Sequence, residues 1–305
     1  MKKTLTVLSS GYIAFFFSER LFWSYFRPDD TPVELLITWL AYSISIWLII
    51  SLMQKYPITN IWDVIIIGAI YGWIVEGVLA ITLYTELPIS IIFTSLSWHM
   101  PLTILLGFLF ILTLSPQKKD IYTVMLFLGV GIFWGFWSII GYVDPDFGKV
   151  ASLESFINHT VITSLLLILA IFLVQKNIPH ITFIKRDIYI PSVILTIWYL
   201  LSVITIIPWA PIILIPLLFI SFRKLHRKGK LSYTKSLWPP NGLFKKHQYF
   251  YILIMPIAAI VTHFLYLNLQ LPVTFPGPVV YMFGLVIGTF LYLKALFKKN
   301  ILPHQ

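Results

Sequence analysis

The sequence predicts an all-α fold, a polytopic integral membrane helix bundle, on three observations. Hydrophobic residues make up 58% of the 305 and charged residues 11%, with a mean hydropathy of +0.87. Soluble domains sit near about 45–50% apolar and about 25% charged. Apolar runs near the ~20 residues that cross a hydrocarbon core recur along the whole chain. The basic residues then fall almost entirely in alternate connections, as the positive-inside rule requires.

Ten spans are predicted in one transmembrane domain covering 1–305, at 5–26, 33–52, 62–83, 89–114, 124–142, 156–174, 190–207, 211–222, 250–266 and 279–296. The first opens on Met-Lys-Lys like a signal peptide, but Ser18-Glu19-Arg20 interrupts it without a small-residue cleavage site, so it reads as a retained helix. The eighth is short, and Pro208, Pro211 and Pro216 make it and the seventh either a tight hairpin or one broken segment. With both termini cytoplasmic, 19 of the 22 basic residues face inward, leaving Arg20, Arg27 and Lys149 outward. Merging the seventh and eighth segments would strand the last lysines outside, so the charge pattern favours an even number of crossings in a cytoplasmic (plasma) membrane. The basic loop at 223–249 within the last four helices (181–305) is expected to meet anionic headgroups of membrane lipids. The net charge of +10 thus reflects membrane topology and not nucleic-acid binding. With no cysteine, disulfides, thiolate nucleophiles and cysteine metal sites are excluded.

Residues 1–180 read as three tandem, parallel hairpin repeats. Gly68 and Gly72 match Gly131 and Gly135 at an offset of 63, while Gly11 matches Gly68 at 57, an offset that also superposes Glu19 on Glu76. Trp98-His99 lines up with Asn158-His159. The glycine pairs are small-xxx-small contacts that let the third and fifth helices approach closely.

Nine of the twelve acids, including Glu19, Asp29, Asp30 and Glu76, belong to the outer half or outer loops. At 1.5 Å per residue, Glu76 lies ~12 Å below the outer boundary and His99 ~16 Å below it, on opposite arms of one hairpin. Ionisable groups at such depth are costly and tend to mark function. Glu76, His99, His159 and Glu19 are therefore the candidate catalytic residues. His99, His159 and His263 would suit a divalent ion such as Zn²⁺ that acidifies a water, with Glu76 as fourth ligand or base. The competing structural reading makes each histidine a hydrogen-bonded group between helices and pairs Arg20 with Glu76. Trp73, Trp98, Trp134 and Trp137 would wall a substrate pocket or pack the core. The acidic run at Asp144 and Asp146 reads as a solvated turn, too short and too poor in oxygen ligands for calcium.

Together these features suggest a membrane-embedded hydrolase or transferase acting on a lipid or lipid-linked substrate. The alternatives are a proton-coupled secondary transporter and a structural or assembly protein without a small-molecule site.

Overall fold

The computed structural model describes residues 1–28, 30–56, 58–139, 150–229, 236–240, 242–269 and 277–298. Asp29, Lys149 and the Asp144–Asp146 run fall outside them. The chain is all-helical, 80% helix with no strand among the described residues. Seven helices there are long and apolar enough to cross a membrane.

In chain order the principal helices are α1 (Lys2–Phe15), α2 (Pro32–Lys55), α3 (Ile61–Ile74), α4 (Ser95–Leu114), α5 (Asp120–Trp137), α6 (Leu153–Asn177), α7 (Lys185–Trp198), α8 (Ala210–Gly229), α9 (Ile254–Leu269) and α10 (Gly277–Phe297). Starts are set by local chemistry. Thr31 and Glu34 form a reciprocal capping box with Pro32 in the first turn of α2, and Asn60 and Asp63 do the same for α3. The expected spans 211–222 and 279–296 are helical, and 5–26 is helical as far as Trp23, but all three fall outside the seven. The 5–26 segment carries Ser18, Glu19 and Arg20 in its apolar run, and α8 carries Pro216 and ends in Arg223, Lys224, Arg227 and Lys228.

The distribution of side chains is compatible with an apolar surrounding. Leu165, Leu169, Ile212 and Phe219 are exposed, whereas Ser10, Ser18, Thr103 and Thr160 are buried. Short polar residues inside let helices approach and bond one another, and the bilayer tolerates the apolar exterior. α3 is the most enclosed span and packs against α4, α8 and α10.

Two predicted hairpins close as expected: α1 lies along α2, and α3 along α4. Gly11 faces Ser43 and Gly68 faces Met100, so the contacting pairs have the same sequence separation. The third hairpin differs. The backbone of α5 lies closest to α9, with Gly131 against Met255 and Gly135 against Ala259, and α9 also contacts α6. The glycines of the third and fifth helices thus serve different partners and do not bring those two helices together.

Gly72 makes the closest of these approaches that bears on the site. A Cβ there would press on the backbone of Ser95, 2.8 Å from its Cα, at the start of α4. Gly72→Ala is expected to lower stability by about 1–3 kcal/mol through overpacking. Thermal unfolding in detergent checks this, and an unchanged midpoint counts against the close approach.

The described part of the 223–249 loop is tied to helix ends. Leu237 N–H donates to the Ile58 carbonyl (2.6 Å), Phe244 N–H to Gln175 Oε1 (2.9 Å), and Gln248 Nε2 to Asp120 Oδ1 (3.0 Å). Lys245 and Lys246 remain exposed.

Candidate functional site

Beyond Phe15 the first helix widens into a π turn, Phe16–Arg20, before a last α turn, Leu21–Trp23. A second π turn, Val75–Leu79, follows α3, and α4 is π-wound throughout, with Pro101 supplying no N–H inside it. A π turn inserts an extra residue per i→i+5 bond, so it re-aims side chains, and such turns recur at functional sites. Here they carry Ser18, Glu19, Glu76 and His99.

The expected span 89–114 is broken at Thr94, whose φ is 52°, and Ile81 has φ 66°. Both are β-branched with positive φ, a conformation that costs about 1–3 kcal/mol each. They bracket a run of short 3₁₀ turns, Thr82–Tyr84 and Ile89–Ile91, folded over the site. His99 lies four residues into α4, and Glu76 three residues before the end of its π turn.

At that level Glu76 and His99 meet, with Glu76 Oε1 2.5 Å from His99 Nε2. Both are buried, at 5% and 3% exposure. Thr82 donates its hydroxyl to Glu76 Oε2. The other imidazole nitrogen, Nδ1, lies 3.1 Å from Ser18 Oγ, which in turn contacts Tyr71 Oη (3.1 Å) and Thr103 Oγ1 (3.0 Å). Glu19 is held separately: Tyr42 donates to Oε1 at 2.6 Å and Trp23 Nε1 to Oε2 at 2.8 Å. Ser18, Glu19, Glu76, Thr82, Trp98 and His99 share the wall of a cavity of about 300 Å³. It opens beside Ala80 and Thr82, both exposed.

The remaining predicted residues stand apart. His159 Nε2 donates to the Arg20 carbonyl at 2.9 Å, while His263 Nδ1 bonds Ser138 Oγ at 2.7 Å and its ring stacks on Phe156 at 4.3 Å. Among the described residues no three His, Asp or Glu side chains gather closely enough to hold an ion. The expected set of His99, His159 and His263 is not assembled, because each imidazole is committed to a different helix contact. His159 takes no place in the cavity wall. Of the tryptophans, Trp98 lines the cavity, whereas Trp73 donates to the Ile91 carbonyl (2.9 Å), Trp137 to the Phe22 carbonyl (2.8 Å), and Trp134 packs edge-on against Phe16.

Nor does Arg20 pair with Glu76. Its guanidinium meets Asp30 Oδ2 at 2.7 Å, with both side chains under 5% exposed, and Arg27 Nη2 reaches Asp30 Oδ1 at 3.1 Å. Burial pushes the Asp30 carboxyl up, but the hydrogen bond and charge of Arg20, with help from Arg27, outweigh it and hold it below the usual carboxylate range.

Carbonyls of the widened first helix also accept three donors from elsewhere: Trp98 Nε1 at Phe17 (2.9 Å), His159 at Arg20 and Trp137 at Phe22. Ser18, Tyr42, Tyr71, Thr82, Thr103 and Asp30 were missed in the sequence, although Thr103 lies one helical turn past His99 and Ser18 adjoins a conspicuous charge. Searches of protein-family models, curated proteins and solved structures return no match to the chain.

Proposed function

We propose that the chain is a membrane-embedded hydrolase or transferase acting on a lipid or lipid-linked substrate, with Glu76 and His99 as its acid–base pair. One observation carries this reading: a buried carboxylate holds one nitrogen of an imidazole at 2.5 Å while the other nitrogen faces a hydroxyl on a cavity wall. A carboxylate on one side fixes the tautomer and balances the charge that the ring acquires on taking a proton. Glu19 adds a second carboxylate at the cavity. Strain at Ile81 and Thr94 supports the same assignment, since strained backbone clusters at sites it pre-organises.

The lipid substrate class rests on the setting. The cavity sits among apolar spans, and helix faces rich in exposed leucine and isoleucine surround the bundle. Ten crossings with both termini cytoplasmic remain the best topology for the charge pattern, and place the cavity towards the outer leaflet. The matched Gly11–Ser43 and Gly68–Met100 contacts favour a duplicated hairpin in the first four helices.

A second reading has its own support. Tyr71, Ser18, His99, Glu76 and Thr82 form a continuous hydrogen-bonded file, as a proton carrier needs. Proteoliposomes containing phosphatidylcholine and phosphatidylglycerol with a fluorescent acyl chain separate the two. Released or transferred acyl chain that is lost in His99→Ala supports the enzyme. No lipid product, with a proton flux that vanishes in Glu76→Gln, makes the site a carrier.

A further inference from the structure

The geometry points to Ser18 as the nucleophile of an acyl-transfer reaction, with His99 as its base and Glu76 as the group that orients and charges the base. This rests on the enzyme reading above and narrows its substrate to an ester, or thioester, of a long-chain acid.

The hydrogen-bond inventory has a self-consistent solution around Ser18. A serine hydroxyl offers one proton and two lone pairs, and a neutral imidazole offers one donor and one acceptor. Glu76 as carboxylate accepts from Thr82 and from His99 Nε2–H. His99 Nδ1 is then a lone pair facing Ser18 Oγ at 3.1 Å. Tyr71 and Thr103 donate to Oγ at 3.1 and 3.0 Å, filling its lone pairs. The serine proton is left pointing at Nδ1. Every donor in the cluster is used once.

The same contacts serve the reaction. As Nδ1 takes the proton, Oγ gains a lone pair for attack while the Tyr71 and Thr103 hydroxyls stabilise the charge building on it. Oγ bonds to the acyl carbon, and the tetrahedral species collapses as Nδ1–H returns its proton to the leaving oxygen or sulfur. The acyl–oxygen or acyl–sulfur bond breaks and an acyl-Ser18 ester remains. Water, or an acceptor alcohol in a transferase, then loses its proton to Nδ1 and attacks the acyl carbon. Ser18 leaves with the proton, giving ester plus water to acid plus alcohol. His99 presents Nδ1 to the serine and Nε2 to the carboxylate, the reverse of the order in the Ser-His-Asp template. The chemistry requires only that the two partners sit on different nitrogens.

Ser18 is 3% exposed, yet it lines the cavity, so the reacting oxygen meets the space a substrate would fill. The π turn is what puts Ser18 and Glu19 on that wall while Arg20, the next residue, lines an apolar cleft formed with α2 and α6.

A thiol provides a test, because the chain has no cysteine and Ser18→Cys carries the only one. Thiolates, not thiols, react with iodoacetamide, and a free cysteine titrates near about 8.5. The groups facing this position are His99 and Thr103 from α4, Tyr71 from α3, Glu76 through His99, and Glu19 beside it. Alkylation at neutral pH is expected to run at least about tenfold faster than in the same chain with Glu76→Gln, with the whole pH–rate profile displaced to lower pH. An unreactive thiol, or an ordinary profile that Glu76→Gln leaves unmoved, overturns the assignment; a serine that only packs helices predicts the latter.

On the unsubstituted chain a long-chain alkyl fluorophosphonate is expected to label Ser18, read by mass spectrometry of the adduct, and to leave Ser18→Ala unlabelled. No adduct on Ser18 overturns the proposal. The parent reading fails separately. Lipid product lost in His99→Ala but kept in Ser18→Ala removes Ser18 and leaves the acid–base pair standing. Fluorophosphonate labelling without any lipid product keeps Ser18 and removes the lipid substrate.

Discussion

Glu76→Gln is expected to lower turnover of the fluorescent lipid by about 10²–10⁴-fold while leaving the protein as stable as before, or more so. The rate effect follows from the usual contribution of a positioned acid–base group. Glutamine fills the same volume and its amide oxygen can still accept from His99 Nε2. It carries no charge, so the imidazolium formed when Nδ1 takes a proton loses its partner, and an amide turned the other way would select the wrong tautomer. The stability effect runs in the opposite sense because a buried carboxylate pays a desolvation cost that a neutral amide avoids. The loss should appear in kcat with KM little changed, since neither residue is asked to bind the acyl chain. Parallel kcat measurements and thermal unfolding check both halves. Full activity with lowered stability would reduce the pair to a helix fastener.

Asp30→Asn should give the largest loss of stability, about 3–5 kcal/mol, because it leaves Arg20 buried without a counter-charge. For a chain of this size that corresponds to a fall of roughly 5–10 °C in the detergent unfolding midpoint. The pH dependence has a definite sign. The folded carboxyl sits below its ordinary value, so its contribution is complete above the unfolded range, near about 4, and drains away as pH falls through the folded value. The parent chain should therefore hold its midpoint from neutral pH down to about 4 and lose it below. Asp30→Asn should start lower and lack that acid limb. Equal midpoints at neutral pH would remove the ion pair from the stability of the fold.

The meeting of Glu76 and His99 was legible in the sequence because one hairpin carries both and helix rise sets their relative height. The helix ends were not. The strained turns between Ile81 and Thr94 shorten both arms, and nothing in an apolar run announces where a helix stops. Ser18 was passed over for a related reason: hydropathy marks a charge such as Glu19 but not a small hydroxyl beside it, and a π turn leaves no trace in a periodicity read at 3.6 residues per turn. The metal set failed because similar helix positions do not imply neighbouring helices. His263 rides on α9, which packs against α6 and against α5, a helix more than a hundred residues earlier in the chain. Arg20 found Asp30, in the connection that follows its own helix, in place of the distant Glu76. Composition and the recurring apolar runs pointed to an all-helical membrane chain, and the described residues are all-helical with seven helices long and apolar enough to cross a membrane.

The carbonyls at Phe17, Arg20 and Phe22 have a bearing on how the protein is made. Synthesis completes the first helix before the residues that bond it, Trp98, Trp137 and His159, have been translated. Until then a helix already burdened by Ser18, Glu19 and Arg20 lacks the cross-helix donors that Trp98, Trp137 and His159 bring to it. Its final seating must wait for α4, α5 and α6. The segment that carries Ser18 and Glu19 is thus translated before the helices that fasten it, so the cavity wall is completed only after α6 has been made.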